Sequence, residues 1–222
     1  MSGFSTARQR MVDGQVRTSD VTDHRIIDAM LELPRELFVP RDKQALAYLD
    51  LDLDVCDGGA TKRFLIKPMV TAKLLQAAEI RENDHVLIVG AATGYSAAVA
   101  ARLAAAVTAT EGDSALVARS RDVLSQLGLT AKVTVKTAEA AVGDPGGEPY
   151  DVILLNGATE VIPEMLYGQL KDGGRLVGIF ATSRPPRAMI VRRSHGDFGI
   201  RPRFVAAAPV LPGLNRAPEF VF

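Results

Sequence analysis

The chain has 222 residues, of which 47% are apolar, and this length and composition suit one α/β domain with a sizeable core. Its 26 basic residues balance 26 acidic ones, so there is no basic excess of the kind that indicates a nucleic-acid partner. One cysteine, Cys56, excludes an internal disulfide, and with three scattered histidines it makes no plausible zinc site. We therefore expect neither a metal nor a nucleic-acid partner.

Two features bear on the cellular compartment. The first twelve residues contain no apolar stretch that predicts a signal peptide. The longest apolar region, residues 97–109, is interrupted by Arg102 and is too short to span a bilayer. Together with the single cysteine, which fits a reducing environment, these features predict a cytoplasmic protein without a membrane partner. They do not predict an oligomeric state.

The first third of the chain predicts helices without a clear strand. Thr22 is a suitable N-cap for a helix whose apolar residues between Ile26 and Leu31 share one face. Pro34 ends that helix. A second short helix is predicted at residues 42–48.

Residues 49–67 have no lasting period and are predicted to be mostly loop, with a turn at residues 57–59. Pro68 then begins another helix. We divide the single predicted domain into a helical extension with substrate-side loops (1–80), a cofactor-binding sheet (81–207) and an irregular tail (208–222).

From residue 85 onward, strands alternate with helices, which predicts a parallel sheet covered on both faces. The predicted strands are residues 85–89, 106–110, 132–136, 150–155 and 175–180, and the predicted helices are residues 95–103, 113–127 and 162–170. Residues 188–193 and 198–206 are joined by a turn too short for a crossover helix, so they predict an antiparallel hairpin.

The segment VLIVGAATGY, residues 86–95, is the most informative part of the chain. Glycines at 90 and 94 after a strand let backbone approach a ligand closely, and the following helix start favours an anionic group. The dinucleotide pattern G-x-G-x-x-G fails, because Ala92 and Tyr95 occupy its second and third glycine positions. The spacing matches a methyltransferase loop, where the anion is the methionine carboxylate of S-adenosylmethionine. A tight turn without a ligand is the alternative.

Other strand ends add candidate contacts. Glu111 ends the second strand and can accept hydrogen bonds from both ribose hydroxyls, or it can be an exposed carboxylate that caps the next helix. Glu139 is placed for the adenine amino group, while Asn156 lies where methyl donor and acceptor would meet, or in a plain turn. The predicted cofactor-binding residues are Gly90, Ala92, Gly94, Tyr95, Glu111, Glu139 and Asn156.

These observations predict an α/β protein with the seven-stranded, Rossmann-like fold of S-adenosylmethionine-dependent methyltransferases. An N-terminal helical extension precedes the sheet, and a C-terminal antiparallel hairpin completes it. A dinucleotide dehydrogenase would place another helix where the hairpin is predicted.

Several segments resemble one methyltransferase family, the protein-L-isoaspartate O-methyltransferases. They are VDGQVR (12–17), VTD (21–23), AM (29–30), LPRELFVP (33–40), AYLD (47–50), YDVI (150–153) and QLKDGGRLV (169–177). The resemblance covers roughly residues 12 to 180, and the two N-terminal blocks are fairly specific to this family. It implies methyl transfer from S-adenosylmethionine to the free α-carboxylate of isoaspartyl residues in damaged proteins. Such a carboxylate, with a pKa of roughly 3.3–3.7, needs no general base at neutral pH.

The chain departs from the family pattern beside Pro68. The family has Gly-Gln-Thr-Ile-Ser there, whereas Ile66 stands where the serine would be, and an isoleucine donates no hydrogen bond. Ile88 replaces an acidic residue and Ala92 replaces a loop glycine. With the serine absent, the candidates for holding the substrate are Thr61, Arg63 and Lys67.

Three interpretations stay open at this point. The chain is a working isoaspartyl methyltransferase that uses other groups, a methyltransferase for a different carboxylate or small molecule, or a non-catalytic binding protein that kept the fold. Binding of S-adenosylhomocysteine separates the third from the first two, and an isoaspartyl peptide assay separates the first from the second.

Overall fold

The computed structural model describes residues 3–56 and 61–217, so the turn predicted at residues 57–59 lies outside the described residues. The α-helices are α1 (Gly3–Met11), α2 (His24–Glu32), α3 (Pro68–Ala77), α4 (Tyr95–Ala100), α5 (Ser114–Gln126) and α6 (Glu164–Gly168). The strands are β1 (Leu53–Asp54), β2 (Phe64–Leu65), β3 (His85–Val89), β4 (Ala106–Glu111), β5 (Val133–Thr137), β6 (Tyr150–Thr159), β7 (Leu170–Phe180), β8 (Arg187–Ser194) and β9 (Asp197–Val205). A π-helical turn (Val12–Val16) and three 3₁₀ segments (Arg17–Ser19, Arg35–Phe38 and Arg41–Leu46) complete the N-terminal part.

The main sheet has seven strands in the order β5-β4-β3-β6-β7-β8-β9. The pairs from β5 to β7 are parallel, and β7–β8 and β8–β9 are antiparallel. The central strand β3 is apolar and buried from Val86 to Val89, as expected for a strand covered on both faces. The predicted fold class is confirmed, including the C-terminal hairpin.

The helical extension differs from its prediction in three details. The N-cap of α2 is Asp23 rather than Thr22, because the Asp23 carboxylate accepts the Arg25 backbone N–H at 2.9 Å. The segment expected to be mostly loop contains the short antiparallel pair β1–β2, with Leu53 opposite Leu65. The second helix predicted there is a 3₁₀ segment, Arg41–Leu46.

A buried arginine connects this extension to the sheet. The Arg35 side chain is fully buried, and its Nε and Nη2 donate to the backbone oxygens of Ala47 (2.8 Å) and Ile66 (2.6 Å). Its guanidinium lies 4.6 Å from the centre of the Tyr95 ring at the start of α4. Burial lowers the pKa of Arg35, the direction expected for a desolvated cation. These contacts hold Ala47 and Ile66 near the start of α4, directly after the glycine loop.

Within the described ranges, no helix combines the length and the hydropathy needed to cross a bilayer. The same part of the chain has no group of three His, Cys, Asp or Glu side chains arranged to hold a metal ion.

Candidate functional site

The glycine loop follows β3 and has three residues, at alternating positions, with a positive φ angle. Gly90 and Gly94 have φ angles of 70° and 95°, in the left-handed region that glycine adopts without strain. Ala92 also lies there, with φ 51°, although it carries a side chain. Its backbone N–H donates to Glu111 Oε2 at 2.7 Å, which fixes the strained conformation. The loop therefore lies directly beside the end of β4.

Glu111 is 2% exposed and its carboxylate is surrounded by backbone donors. Besides Ala92, the N–H groups of Gly112 (3.0 Å) and Asp113 (3.3 Å) donate to Oε1. The alternative of an exposed capping carboxylate is wrong, because the side chain is buried and the N-cap of α5 is Asp113. Glu111 is thus a buried carboxylate held at the carboxyl edge of the sheet by three backbone N–H groups.

The guanidinium of Arg63 lies against that carboxylate. Nε is 3.0 and 3.1 Å from the two carboxylate oxygens, and Nη2 is 2.9 Å from Oε2. Nη2 also donates to the Gly90 backbone oxygen at 2.8 Å. Both side chains are almost fully buried, at 4% and 3% exposure. A planar guanidinium that engages both carboxylate oxygens is among the strong ion-pair geometries in proteins.

The C-terminal tail packs beside the glycine loop at the carboxyl edge of the sheet. Ala158 on β6 donates to Pro209 O and accepts from Leu211 N–H, at 2.8 and 2.9 Å. The Leu211 side chain then packs on two glycines, since a Cβ placed on Gly90 or Gly157 would lie 2.5 or 2.7 Å from Leu211 Cδ2. These glycines therefore make room for the chain's own leucine.

Asn156 and Tyr95 were both predicted to touch the cofactor, and the structure gives each of them internal partners. Asn156 donates to the Gly90 oxygen (2.9 Å) and accepts from Ser96 Oγ (2.6 Å), so its amide holds the loop to β6 and α4. The Tyr95 ring is buried in the core, edge-on to Phe38 at 5.2 Å. Burial raises the pKa of its hydroxyl.

The substrate candidates separate into two groups. Thr61 and Arg63 line the cavity at the carboxyl edge of the sheet. Ile66 packs in the core with 2% exposure, and the Lys67 ammonium lies 3.8 Å from Asp52, a residue that does not line this cavity.

The cavity beside Glu111 has a volume of about 210 Å³. Its lining residues are Thr61, Arg63, Gly90, Glu111, Gly112, Asp113, Glu139, Ala140 and Pro212. Ligand pockets more often measure roughly 300–1,000 Å³. The framework fits S-adenosylmethionine, with the loop, Glu111 and the exposed Glu139 at one edge, but Arg63 and Leu211 occupy the space beside Gly90.

Of the predicted cofactor contacts, Gly90, Glu111 and Glu139 line the cavity. The lining residues that the sequence did not indicate are Gly112, Asp113, Ala140 and Pro212, and Leu211 beside Gly90 was not predicted either. Arg63 was predicted as a substrate contact, and its pairing with Glu111 was not. The two residues are 48 positions apart, and no local pattern indicates that they meet.

Comparisons with known proteins agree with this architecture. The family model of protein-L-isoaspartate(D-aspartate) O-methyltransferases matches residues 6–202. A protein-L-isoaspartate O-methyltransferase of Koribacter versatilis is 36% identical over 196 residues, covering 88% of this chain and 86% of that protein. One of Methylorubrum extorquens is 40% identical over 171 residues, covering 77% and 72% of the two chains.

Solved structures give the same result. A protein-L-isoaspartate O-methyltransferase structure superposes with a TM-score of 0.80 at 25% identity, covering 94% of this chain and 67% of that one. These matches confirm the expected enzyme class and the family's methyl donor, S-adenosylmethionine. The chain belongs to the protein-L-isoaspartate O-methyltransferase family.

Proposed function

We propose that the chain transfers the methyl group of S-adenosylmethionine to the free α-carboxylate of L-isoaspartyl residues in damaged proteins. The observation that carries this proposal is the meeting of the Gly90–Gly94 loop with the buried Glu111 at the carboxyl edge of β3 and β4. In open α/β sheets this edge is where ligands bind. Family membership supports the isoaspartyl carboxylate as the acceptor.

In the proposed cofactor complex, the Glu111 carboxylate accepts hydrogen bonds from the ribose hydroxyls, and Glu139 receives the adenine amino group. Gly90 and Gly94 let the loop backbone approach the methionine part of the ligand. Ala92 contributes through its backbone N–H to Glu111, while Asn156 and Tyr95 support the loop from behind. When bound, S-adenosylmethionine supplies a methyl group activated by a positively charged sulfur.

The chain's own part in this reaction is alignment and exclusion of water. The acceptor carboxylate is ionised at neutral pH, so no residue needs to remove a proton. Ile66 lies in the core and offers no hydroxyl, whereas Thr61 is exposed at the cavity and carries one. We therefore assign to Thr61 the hydroxyl contact that a serine provides in other members of the family.

The test is a methyl-transfer assay on an isoaspartyl peptide, with the same peptide containing ordinary aspartate as the control. Transfer only to the isoaspartyl peptide supports the proposal. Binding of S-adenosylhomocysteine without transfer indicates a different acceptor. Absence of binding at millimolar ligand indicates a protein that kept the fold without the activity.

Variants Thr61→Ala and Ile66→Ser test the hydroxyl in the same assay. We expect Thr61→Ala to lower the rate by less than the roughly 10²–10³-fold seen at oxyanion sites, since a carboxylate loses charge as it is methylated. An unchanged rate would contradict the role of Thr61. A rate gained by Ile66→Ser would indicate that the lost serine limits the enzyme.

We also propose that residues 1–222 act as one methyltransferase domain in the cytoplasm, because a single free cysteine fits a reducing compartment. A net charge of zero favours a protein substrate over nucleic acid. Tight, strongly salt-dependent binding of DNA or RNA would contradict this.

A further inference from the structure

The Arg63–Glu111 pair uses the acceptor sites that a ribose needs. Oε1 receives Arg63 Nε and the N–H groups of Gly112 and Asp113, and Oε2 receives Arg63 and the N–H of Ala92. An ionised carboxylate offers about four lone-pair sites. With Arg63 in place, Glu111 has no acceptor left for a sugar hydroxyl.

The guanidinium of Arg63 and the ribose of the cofactor offer equivalent hydrogen-bond donors to Glu111. A guanidinium edge presents two neighbouring N–H donors to one carboxylate, and the two hydroxyls of a ribose present two neighbouring O–H donors. Arg63 also donates to the Gly90 oxygen, so its guanidinium lies between Glu111 and the first residue of the glycine loop.

The guanidinium of Arg63 lies close to solvent into which it can move. The cavity it lines is bordered by the exposed residues Thr61, Gly112 and Glu139. A displaced guanidinium would therefore reach water rather than remain buried without a partner. Leu211, the other side chain in the space beside Gly90, carries no charge and forms no comparable bond.

We propose that Arg63 is an internal competitor for the ribose site and thereby sets the affinity of this enzyme for its cofactor. The inference rests on the proposed function. S-adenosylmethionine binds only when the guanidinium leaves Glu111, so the measured affinity is the intrinsic affinity multiplied by the fraction of molecules in which Arg63 is displaced. A glutamine at position 63 would be shorter and neutral, and it would form no ion pair with Glu111.

Calorimetric titration with S-adenosylhomocysteine tests this directly. Arg63→Gln should bind the ligand about 10- to 100-fold more tightly than the wild type, since charge-assisted hydrogen bonds no longer have to be displaced. Arg63→Lys keeps the charge but loses the two-pronged geometry, and it should give a smaller gain. Arg192→Gln is the matched control, because it removes an exposed arginine paired with Glu79 at 2.6 Å, far from the site, and should leave the affinity unchanged.

Free guanidinium ion provides an independent test. In Arg63→Ala, low millimolar guanidinium chloride should refill the vacated position and weaken S-adenosylhomocysteine binding, compared with an equal concentration of sodium chloride. The wild type should show a smaller effect, because its own side chain already holds the position. Equal effects on the two proteins would overturn the proposal.

The outcomes separate this inference from the proposed function. If the wild type binds the ligand and Arg63→Gln and Arg63→Lys bind it no more tightly, the internal competitor is wrong and the function stands. If none of these proteins binds at millimolar ligand, both fail. Thermal melting identifies a variant that does not fold. If Arg63→Gln is such a variant, Arg63→Lys decides.

Discussion

Two buried arginine–carboxylate pairs lie at opposite ends of the central sheet. At the amino end, Arg175 of β7 bonds Asp84, just before β3, at 2.7 Å, with exposures of 6% and 10%. At the carboxyl end, Arg63 bonds Glu111 at 2.9 Å, with exposures of 4% and 3%. By residue type, distance and burial the two pairs are nearly the same.

Their surroundings differ. Arg175 also donates to the backbone oxygens of Ala78 and Glu79, so it joins the end of α3 to the sheet. The Arg63 pair lines a cavity and lies beside a loop with three left-handed residues. The burial of an ion pair therefore does not reveal its role. The role is indicated by the other groups that the arginine and the carboxylate contact. Asp84–Arg175 joins the end of α3 to the sheet, and Arg63–Glu111 lines the cavity in which we propose that the ribose binds.

The largest expected effect concerns stability at the amino end. Arg175→Gln should lower the free energy of unfolding by about 3–5 kcal/mol, the usual cost of leaving one member of a buried pair without its partner. Arg63→Gln should cost only about 1–2 kcal/mol, because three backbone N–H groups still bond Glu111. Urea denaturation of both variants measures the difference. Equal losses would remove the distinction between the two pairs.

The next effect concerns affinity at the carboxyl end. In an Arg63→Gln background, Glu111→Ala should weaken S-adenosylhomocysteine binding by about 1.5–3 kcal/mol, the value of hydrogen bonds to a charged acceptor. That background removes Arg63 from the comparison, so the loss reports the contacts of Glu111 with the ribose and with the loop backbone. The measurement is calorimetric titration of the two proteins. An unchanged affinity would exclude Glu111 as the ribose acceptor.

A smaller effect tests the strain in the loop. Ala92→Gly should raise stability by about 0.5 kcal/mol, because a left-handed residue with a side chain costs about 1–2 kcal/mol and the buried methyl is worth about 0.8 kcal/mol. Ala91→Gly is the matched control, since Ala91 is equally buried and has no left-handed backbone. It should lose stability. If Ala92→Gly is destabilised by the same amount, the loop is not strained.

The fold shows which structural features can be predicted from the sequence and which cannot. The apolar run of β3 and the short turn of the hairpin are local signals, and both elements were predicted correctly. Strand β6 continues to Thr159 instead of ending at residue 155, because Ala158 pairs with Ile179 and with the tail. Helix α1 was not predicted, since it is polar and buries only Met11. Partners far away in the chain decide such boundaries.

The candidate site likewise has a part that the sequence predicts and a part that it does not. The proximity of the Gly90 loop and Glu111 follows from the rule that the carboxyl ends of neighbouring parallel strands meet at one edge. Arg63 and Leu211 reach that edge from an aperiodic segment and from an irregular tail, and their paths depend on tertiary contacts such as Arg35 with Ile66. Sequence patterns therefore predict the framework of the site and not the side chains that fill it.

The smallest effect is a pH dependence at the amino end of β3. Burial lowers the pKa of His85 below its ordinary value of about 6.5, against the opposing influence of Asp151 and Asp144. The unfolded chain then binds a proton more readily than the folded one, so the contribution of His85 to stability is present above about pH 6.5 and is lost as the pH falls below it.

His85→Gln should flatten this dependence, and its amide can still reach the Thr108 hydroxyl that lies 3.2 Å from Nε2. The measurement is the free energy of unfolding at pH 5.5 and pH 8 for the wild type and the variant, with the exposed His195→Gln as a control for removing an imidazole elsewhere. The affinity for S-adenosylhomocysteine at pH 8 should not change in His85→Gln, because His85 lies at the opposite end of β3 from Gly90. If the variant keeps the full pH dependence, the titration belongs to another group. If its affinity falls instead, the two ends of the sheet are coupled and the division between a structural end and a ligand-binding end is wrong.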